Sequence, residues 1–473
     1  MPMRPLLLLV SLLLSPLPAL PALDQVWLVG GGPDLFNSQV QIERNILWTL
    51  ETLGQLPGGR RVQVYFTDGE DPAPDVVEWA PALGAEQLEP LARVFDAQWG
   101  NGEQYRNHRI PDVAGATTLD SLRTALGAGL GQLDATGRAW LIFDGHGGRG
   151  SQGNNLLHLW DNGQLSVREL GQWLDQAPEG ARIRFLFTQC YAGGFGSLAV
   201  AGRDRCGFLA VSADQTAEGC SAAIEGEDYQ DYSTHFFAAL AGHRRDGSAL
   251  PSNPDRDGDG RVTPLEAHHY TLLQANSSDI PRSTSELLLE QWQPWYLSAL
   301  ALVNPAPADN PYRTLADALM HLANLDPARD GEPALARRTS ALRAQTRQLA
   351  QEQAALAQQT EQLRQTLVDE LQRRWPALRY PYSRQFAQFL AQDLDAAQTF
   401  IQAREDYQRL KANQETLGEL ASRALELERA ATRLEKIRHL GALATKLAAL
   451  EQIGPPELRT RYATLRACET TPF

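Results

Sequence analysis

Ala139-Trp140-Leu141-Ile142-Phe143-Asp144-Gly145-His146-Gly147-Gly148 and Ile183-Arg184-Phe185-Leu186-Phe187-Thr188-Gln189-Cys190-Tyr191-Ala192-Gly193-Gly194 are the stretches that decide the fold. Each is an apolar run of strand length closed by glycine, with a chemically able side chain at its polar end. Continuous apolar runs of this kind suit strands buried on both faces, as in a parallel sheet covered by helices. Ligands of open parallel sheets bind at the carboxyl ends of the strands, and His146 and Cys190, 44 residues apart, both fall there. A thiolate that attacks a carbonyl and an imidazole that manages the proton is the chemistry such a pair supports.

The pattern continues on both sides. Val26-Trp27-Leu28-Val29, closed by Gly30-Gly31-Gly32, predicts a first strand, and Val62 to Phe66 a second. Ile42 to Leu53 and Leu119 to Leu133 have helical spacing, and Ser166-Val167-Arg168-Glu169 opens a helix with a capping box. Gly207 to Ser212 predicts a fifth strand and Tyr232 to Leu240 a further helix, while 69–116 reads as a long Pro/Gly/Asp-rich loop. The expected class is α/β: a mostly parallel sheet flanked by helices.

At 473 residues the chain exceeds one ordinary core. The N-terminus has one positive charge, an apolar stretch from Leu6 to Leu14 and small residues up to Ala22. This predicts a signal peptide over 1–22 and a secreted or periplasmic protein, since about ten apolar residues are too few to span a bilayer. No other stretch suits a membrane span, and a net charge of -14 argues against a nucleic-acid partner. Of four cysteines, Cys206 and Cys220 flank the fifth strand and are candidates to pair, a choice the sequence leaves open, while Cys190 is read as free.

The first domain is expected over 23–303, followed by a Pro/Asp-rich linker with room for one short helix over 304–333 and a helical domain over 334–473. Leu335, Leu342, Leu349, Leu356 and Leu363 recur every seven residues, as do Leu410 and Leu417, and then Leu420, Leu427 and Leu434. Heptads on two long stretches predict an antiparallel coiled-coil hairpin or short bundle. Such a module suits a structural stalk, a lid, or an arm for self-association or a protein partner.

Asp255-Arg256-Asp257-Gly258-Asp259-Gly260-Arg261-Val262-Thr263-Pro264-Leu265-Glu266 fits a twelve-residue EF-hand calcium loop. Asp255, Asp257 and Asp259 would give carboxylate oxygens, Arg261 its carbonyl, Thr263 a water-bridged position and Glu266 the closing carboxylate. Thr263 to Glu266 is also a capping box with proline at the first helical position. That second reading leaves three alternate aspartates unexplained, and the loop has no partner loop. A lone structural Ca2+ is therefore expected.

With these motifs in place, residues 26 to about 240 resemble the legumain-type cysteine peptidases, relatives of the caspases with a caspase-like sheet. The His-Gly and Cys-x-x-Gly strand ends carry the likeness. Phe36-Asn37-Ser38-Gln39, Tyr65-Phe66-Thr67-Asp68 and Ser212-Ala213-Asp214 extend it. The resemblance implies Cys190 as nucleophile, His146 as its proton partner, backbone N–H groups of Cys190 and Gly147 as oxyanion hole, and Asn37 steadying the histidine. The family's substrate pocket uses an arginine and a glutamate where this chain has Gln39 and Thr188. Asp231 falls near the family's acidic pocket residue, with Asp214 and Glu218 close by in sequence. A pocket without its arginine but with its acids implies cleavage after lysine or arginine.

The function expected is an exported cysteine endopeptidase acting on polypeptides with one bound calcium. Transpeptidation would use the same acyl-enzyme. The alternative is a catalytically silent caspase-like scaffold whose helical C-terminal region binds a partner.

Overall fold

The computed structural model describes residues 24–79, 85–95, 103–219, 230–297, 305–381 and 383–473. The expected leader and Cys220 lie outside these residues. The strands are β1 Asp24–Gly31, β2 Arg60–Phe66, β3 Val76–Trp79, β4 Glu103–Arg106, β5 Val113–Gly115, β6 Arg138–Gly145, β7 Gly147–Gly148, β8 Leu156–Leu159, β9 Gly163–Ser166, β10 Arg182–Phe187, β11 Asp204–Leu209 and β12 Arg282–Ser283. The main sheet has seven strands in the order β12-β11-β10-β6-β1-β2-β5. All neighbours run parallel except β11 and β12. This is the α/β architecture that the apolar runs predict.

Strand order follows from chain order. From β1 the chain builds outward through β2 and β5, then returns to the other side of β1 to lay down β6, β10 and β11. The switch point therefore lies between β1 and β6, where doubly wound sheets open a crevice at their carboxyl edge. On one face, α1 (Val40–Gln55) and, later in the chain, residues of 232–241 cover Val26, Leu28, Trp140, Ile142 and Phe208. On the other, residues of 119–132 and 167–174 cover Trp27, Leu141, Phe143 and Phe185. Alternate residues of one strand thus feed two separate cores, which is why these strands are apolar throughout.

The long loop expected over 69–116 holds more structure than that. It contains the β3–β4 hairpin, the edge strand β5, and α2 (Ala85–Ala92). The remaining helices of the first domain are α3 (Leu119–Gln132), α4 (Val167–Leu174), α5 (Tyr232–Ala241), α6 (Pro264–Gln274) and α7 (Thr284–Gln291). The expected linker is also packed: α8 (Pro311–Leu322), capped by Asn310, buries Tyr312, Leu315 and Leu319.

The heptads form α9 (Glu332–Arg374) and, after α10 (Arg384–Gln392) and α11 (Leu394–Gln402), α12 (Glu405–Ile453). The two long helices run antiparallel, with Arg343 paired to Glu428 and Glu435, and Arg404 to Glu370. At 43 and 49 residues they make an arm about 65–75 Å long. Its base packs on α8 through Leu440, Leu443 and Leu447. Its tip closes a small core with Leu91 and Val94.

The last helix, α13 (Pro456–Glu469), does not belong with the arm. Cys468 is disulfide-bonded to Cys206 in β11, so the partner of Cys206 is not the candidate Cys220. Glu469 is buried and accepts hydrogen bonds from Thr284 Oγ1, Ser285 N and Ser285 Oγ. Phe473 stacks on Trp140 with ring centroids 3.8 Å apart. The boundary expected at 334–473 thus fails to follow the packing: the arm is inserted, and the chain returns from it to the sheet.

Candidate active site

His146 and Cys190 come to the same level of the sheet. Phe143 in β6 pairs with Phe187 in β10, and each candidate lies three residues beyond its phenylalanine. Thr188 continues the ladder, its N–H bonding to the Phe143 carbonyl. Close approach is possible only because residue 147 is glycine. A Cβ there would lie 2.3 Å from the Cys190 carbonyl oxygen.

Cys190 is a free, half-buried thiol. Tyr191, which follows, takes a left-handed conformation at φ 60° and donates its N–H to the Gln215 carbonyl at 2.7 Å. Asn155 braces this turn, donating from Nδ2 to Tyr191 O at 2.7 Å and to Ala213 O at 2.9 Å. The sulfur accepts the Ala217 N–H at 3.3 Å. Burial raises the thiol's pKa above its ordinary value, the Ala217 bond opposes this, and Asp279 reinforces it.

His146 is held from the β1 side. Its Nε2 lies 2.8 Å from Gln39 Oε1, and the ring bonds to the Asn37 main chain. Gly32 makes room for that backbone: a Cβ at 32 would sit 1.8 Å from the Asn37 oxygen. Burial lowers the imidazole's pKa, with the Asn37 bond opposing and nearby His158 reinforcing. The ring is neutral at neutral pH. Among the described residues no hydrogen bond joins His146 to Cys190, since Gln39 engages the imidazole and Ala217 the thiol.

Two expected roles therefore shift. Gln39, expected at the substrate pocket, meets the imidazole of His146. Asn37 acts through its main chain, while its side chain donates to both carboxylate oxygens of Asp34. Asp214 is exposed and bonds Ser212, away from the pocket. Thr188 and Asp231 do line the small cavity beside Cys190, together with Asn45, Asp144, Glu218 and Ser233. The room within it is about 10 Å³, enough for about one water.

The acids of this cavity differ in how they are satisfied. Asp231 caps α5 and accepts four bonds, from Ser233 Oγ, Thr234 N, Thr234 Oγ1 and Gln41 Nε2. Glu218 accepts Ser278 N and is paired with Arg429 at 2.8 Å. Asp144 has Asn45 Nδ2 at 3.3 Å from each oxygen. The Ser233 and Thr188 hydroxyls also hydrogen-bond to it, each within reach of a second acceptor as well, Asp231 and the Phe143 carbonyl. Burial, with Asp231 adding, pushes the Asp144 carboxyl up to about 7. Asp144 stands in the quoted strand, but its environment was hidden there: the second acid lies 87 residues on. Asn155 and His158 were likewise missed, since neither carries a motif.

In the 255–266 loop, Asp255, Asp257 and Asp259 bring carboxylate oxygens within 4.8 Å of one another, so together they could hold a cation. Gly260 takes φ 83°, as the sharp turn requires. Glu266 is turned differently, bonding Arg256 N at 2.9 Å and Thr263 N at 2.9 Å in a capping box for α6. Each of the three aspartates could offer a cation one oxygen. Glu266 and Thr263 are engaged with each other, and Arg261 donates its N–H to Asp259.

No protein-family model and no curated protein matches the chain. Among solved structures it is similar to the crystal structure of protein GSU0716 from Geobacter sulfurreducens, at 10% identity and a TM-score of 0.33, over 56% of this chain and 92% of that one.

Proposed function

We propose that the protein is an exported cysteine endopeptidase in which Cys190 attacks the carbonyl of a peptide bond and His146 transfers the proton. The observation that carries this reading is a free, half-buried thiol and a neutral imidazole at matched levels of adjacent parallel strands, beside the switch point. His146, leaving Gln39, takes the thiol proton as the sulfur bonds to the carbonyl carbon. The resulting imidazolium gives that proton to the departing amine, and water resolves the acyl-enzyme by the reverse path. Main-chain N–H groups of Gly147 and Cys190 steady the oxyanion. The Cys206–Cys468 bridge supports an oxidising compartment. One Ca2+, held by Asp255, Asp257 and Asp259, would stiffen the entry to α6.

The missing thiol–imidazole bond favours a second reading, a silent scaffold whose arm binds a partner. Reaction of the full chain with peptidyl acyloxymethyl ketones separates the two. An adduct on Cys190, lost in Cys190→Ala and slowed at least a hundredfold in His146→Ala, is expected of the peptidase. A folded protein that forms no adduct with any peptide probe is the scaffold.

A further inference from the structure

Asp75 stands directly ahead of β3 and is fully buried. Its Oδ1 accepts the His108 N–H at 2.7 Å, while its Oδ2 accepts the Thr67 hydroxyl and lies 2.8 Å from His108 Nδ1. The His108 side chain is buried too, its ring against Phe66. A buried imidazole–carboxylate pair is complete in itself, but Asp68 beside it is not. Two residues beyond β2, its Oδ1 is sealed from solvent and has no hydrogen-bond partner. Asp68, Asp75 and His108 each bring a ligand atom within 4.8 Å of the other two. Groups bonded to one ion at about 2.0–2.2 Å stand up to about 4 Å apart, so the set is close to a ligand shell. A sealed carboxylate oxygen is costly unless a donor or a cation completes it. An imidazole joined to carboxylates suits a first-row transition ion, whereas Ca2+ and Mg2+ take oxygen shells.

We propose that Asp68, Asp75 and His108 bind one divalent transition-metal ion. The site shares no residue with the Cys190 cavity or the 255–266 loop and does not rest on the peptidase reading. Its ligands come from the end of β2, the entry to β3 and the exit of β4, so the ion would fasten the β3–β4 hairpin to the main sheet. Asp68 is partly exposed, which gives the ion a way in. The Thr67 hydroxyl and the His108 N–H hold Asp75 in place as it ligates. The hairpin in turn braces the segment that holds His146. Val77 of β3 donates its N–H to the Ser38 carbonyl at 2.8 Å, and Gln39, next in the chain, meets the imidazole.

The experiment titrates Zn2+ into the full disulfide-bonded chain, stripped with EDTA, in competition with a chromophoric chelator, so that it reads metal and not activity. Wild type should take up one equivalent at this site, and excess Ca2+ should not displace it. Asp68→Asn and His108→Gln should each weaken that binding at least about tenfold. The Asp68 oxygen has no partner to lose, so Asp68→Asn should fold, which urea unfolding of the stripped chain checks. Cys190→Ala and Asp255→Asn/Asp257→Asn should still bind the Zn2+. In parallel, Zn2+ should raise the thermal midpoint of wild type and leave that of Asp68→Asn unmoved. No uptake by wild type, or equal affinity in Asp68→Asn, overturns the site. An equivalent lost in Cys190→Ala and kept in Asp68→Asn puts the ion on the thiol and overturns it as well. None of these results bears on the peptidase reading, which the ketone adduct on Cys190 decides.

Discussion

At the scale of single residues, the site is built from groups held in their neutral forms. Cys190 has its pKa raised and His146 its pKa lowered, both mainly by burial. The resting pair is thus thiol and imidazole, with no ion pair formed in advance. Iodoacetamide alkylation of Cys190 should therefore climb steadily from pH 6 past pH 9, without the low-pH plateau that a thiolate–imidazolium pair would give. A plateau below pH 7 would contradict this. Asp144 makes a second prediction. Its folded pKa, about 7, lies above the ordinary 3.8, so the folded state holds the proton more tightly than the unfolded chain. No penalty exists below pH 4; stability falls as pH rises from about 4 to 7 and the loss is complete above that window. Asp144→Asn should gain a few kcal/mol over wild type at pH 8 and almost nothing at pH 4, by urea unfolding. A difference that does not grow with pH would show that Asp144 ionises freely.

At the scale of elements, β1, β6 and β10 were legible because burial on both faces writes an unbroken apolar run, and α9 and α12 because heptads repeat. The strands β3 and β4 were not. Four residues each, with Arg106 of β4 bonded to Glu43 and Glu78, they are held by ion pairs from α1 and β3 that leave no local pattern. The role of Gln39 was hidden for a similar reason: a side chain's partner is set by tertiary geometry. The same applies where α12 meets the site. Arg429 holds Glu218, one residue from the Ala217 that binds the thiol, so the arm fastens the pocket's wall. Arg429→Ala should free that wall and speed Cys190 labelling several-fold, with a stability loss of about 1–3 kcal/mol because both partners are largely buried. An unchanged rate would mean the wall opens by another route. Calcium binding by the 255–266 loop is tested by thermal unfolding. EGTA should lower the midpoint of thermal unfolding, and an Asp255→Asn/Asp257→Asn variant should show no response to Ca2+. A wild-type midpoint indifferent to both Ca2+ and EGTA would leave the loop a plain capped turn.

At the scale of the whole molecule, the arm is anchored at both ends, which changes how its role can be probed. Cutting the chain near Asn310 would remove α13 along with the arm. The sheet would lose the Cys206–Cys468 bridge, the Phe473–Trp140 stack, and the Glu469 carboxylate that satisfies Thr284 and Ser285. Reading α13 as the end of a helical tail was natural from sequence, since nothing in 456–469 distinguishes a helix that returns to the sheet from one that extends the arm. The bridge closes a separation of 262 residues, so Cys206→Ser should cost about 2–5 kcal/mol, which a urea titration would register. A sharper test shortens the arm internally, joining Gln353 to Ala421 through a short Gly-rich turn. This keeps Arg343 facing Glu428 and Glu435, keeps Arg429 on Glu218, and removes only the tip that meets Leu91 and Val94. Because the pocket wall is held by Arg429 and not by the tip, the shortened chain should label at Cys190 within twofold of the full one. A large rise in rate would instead make the tip the cover and Arg429 incidental.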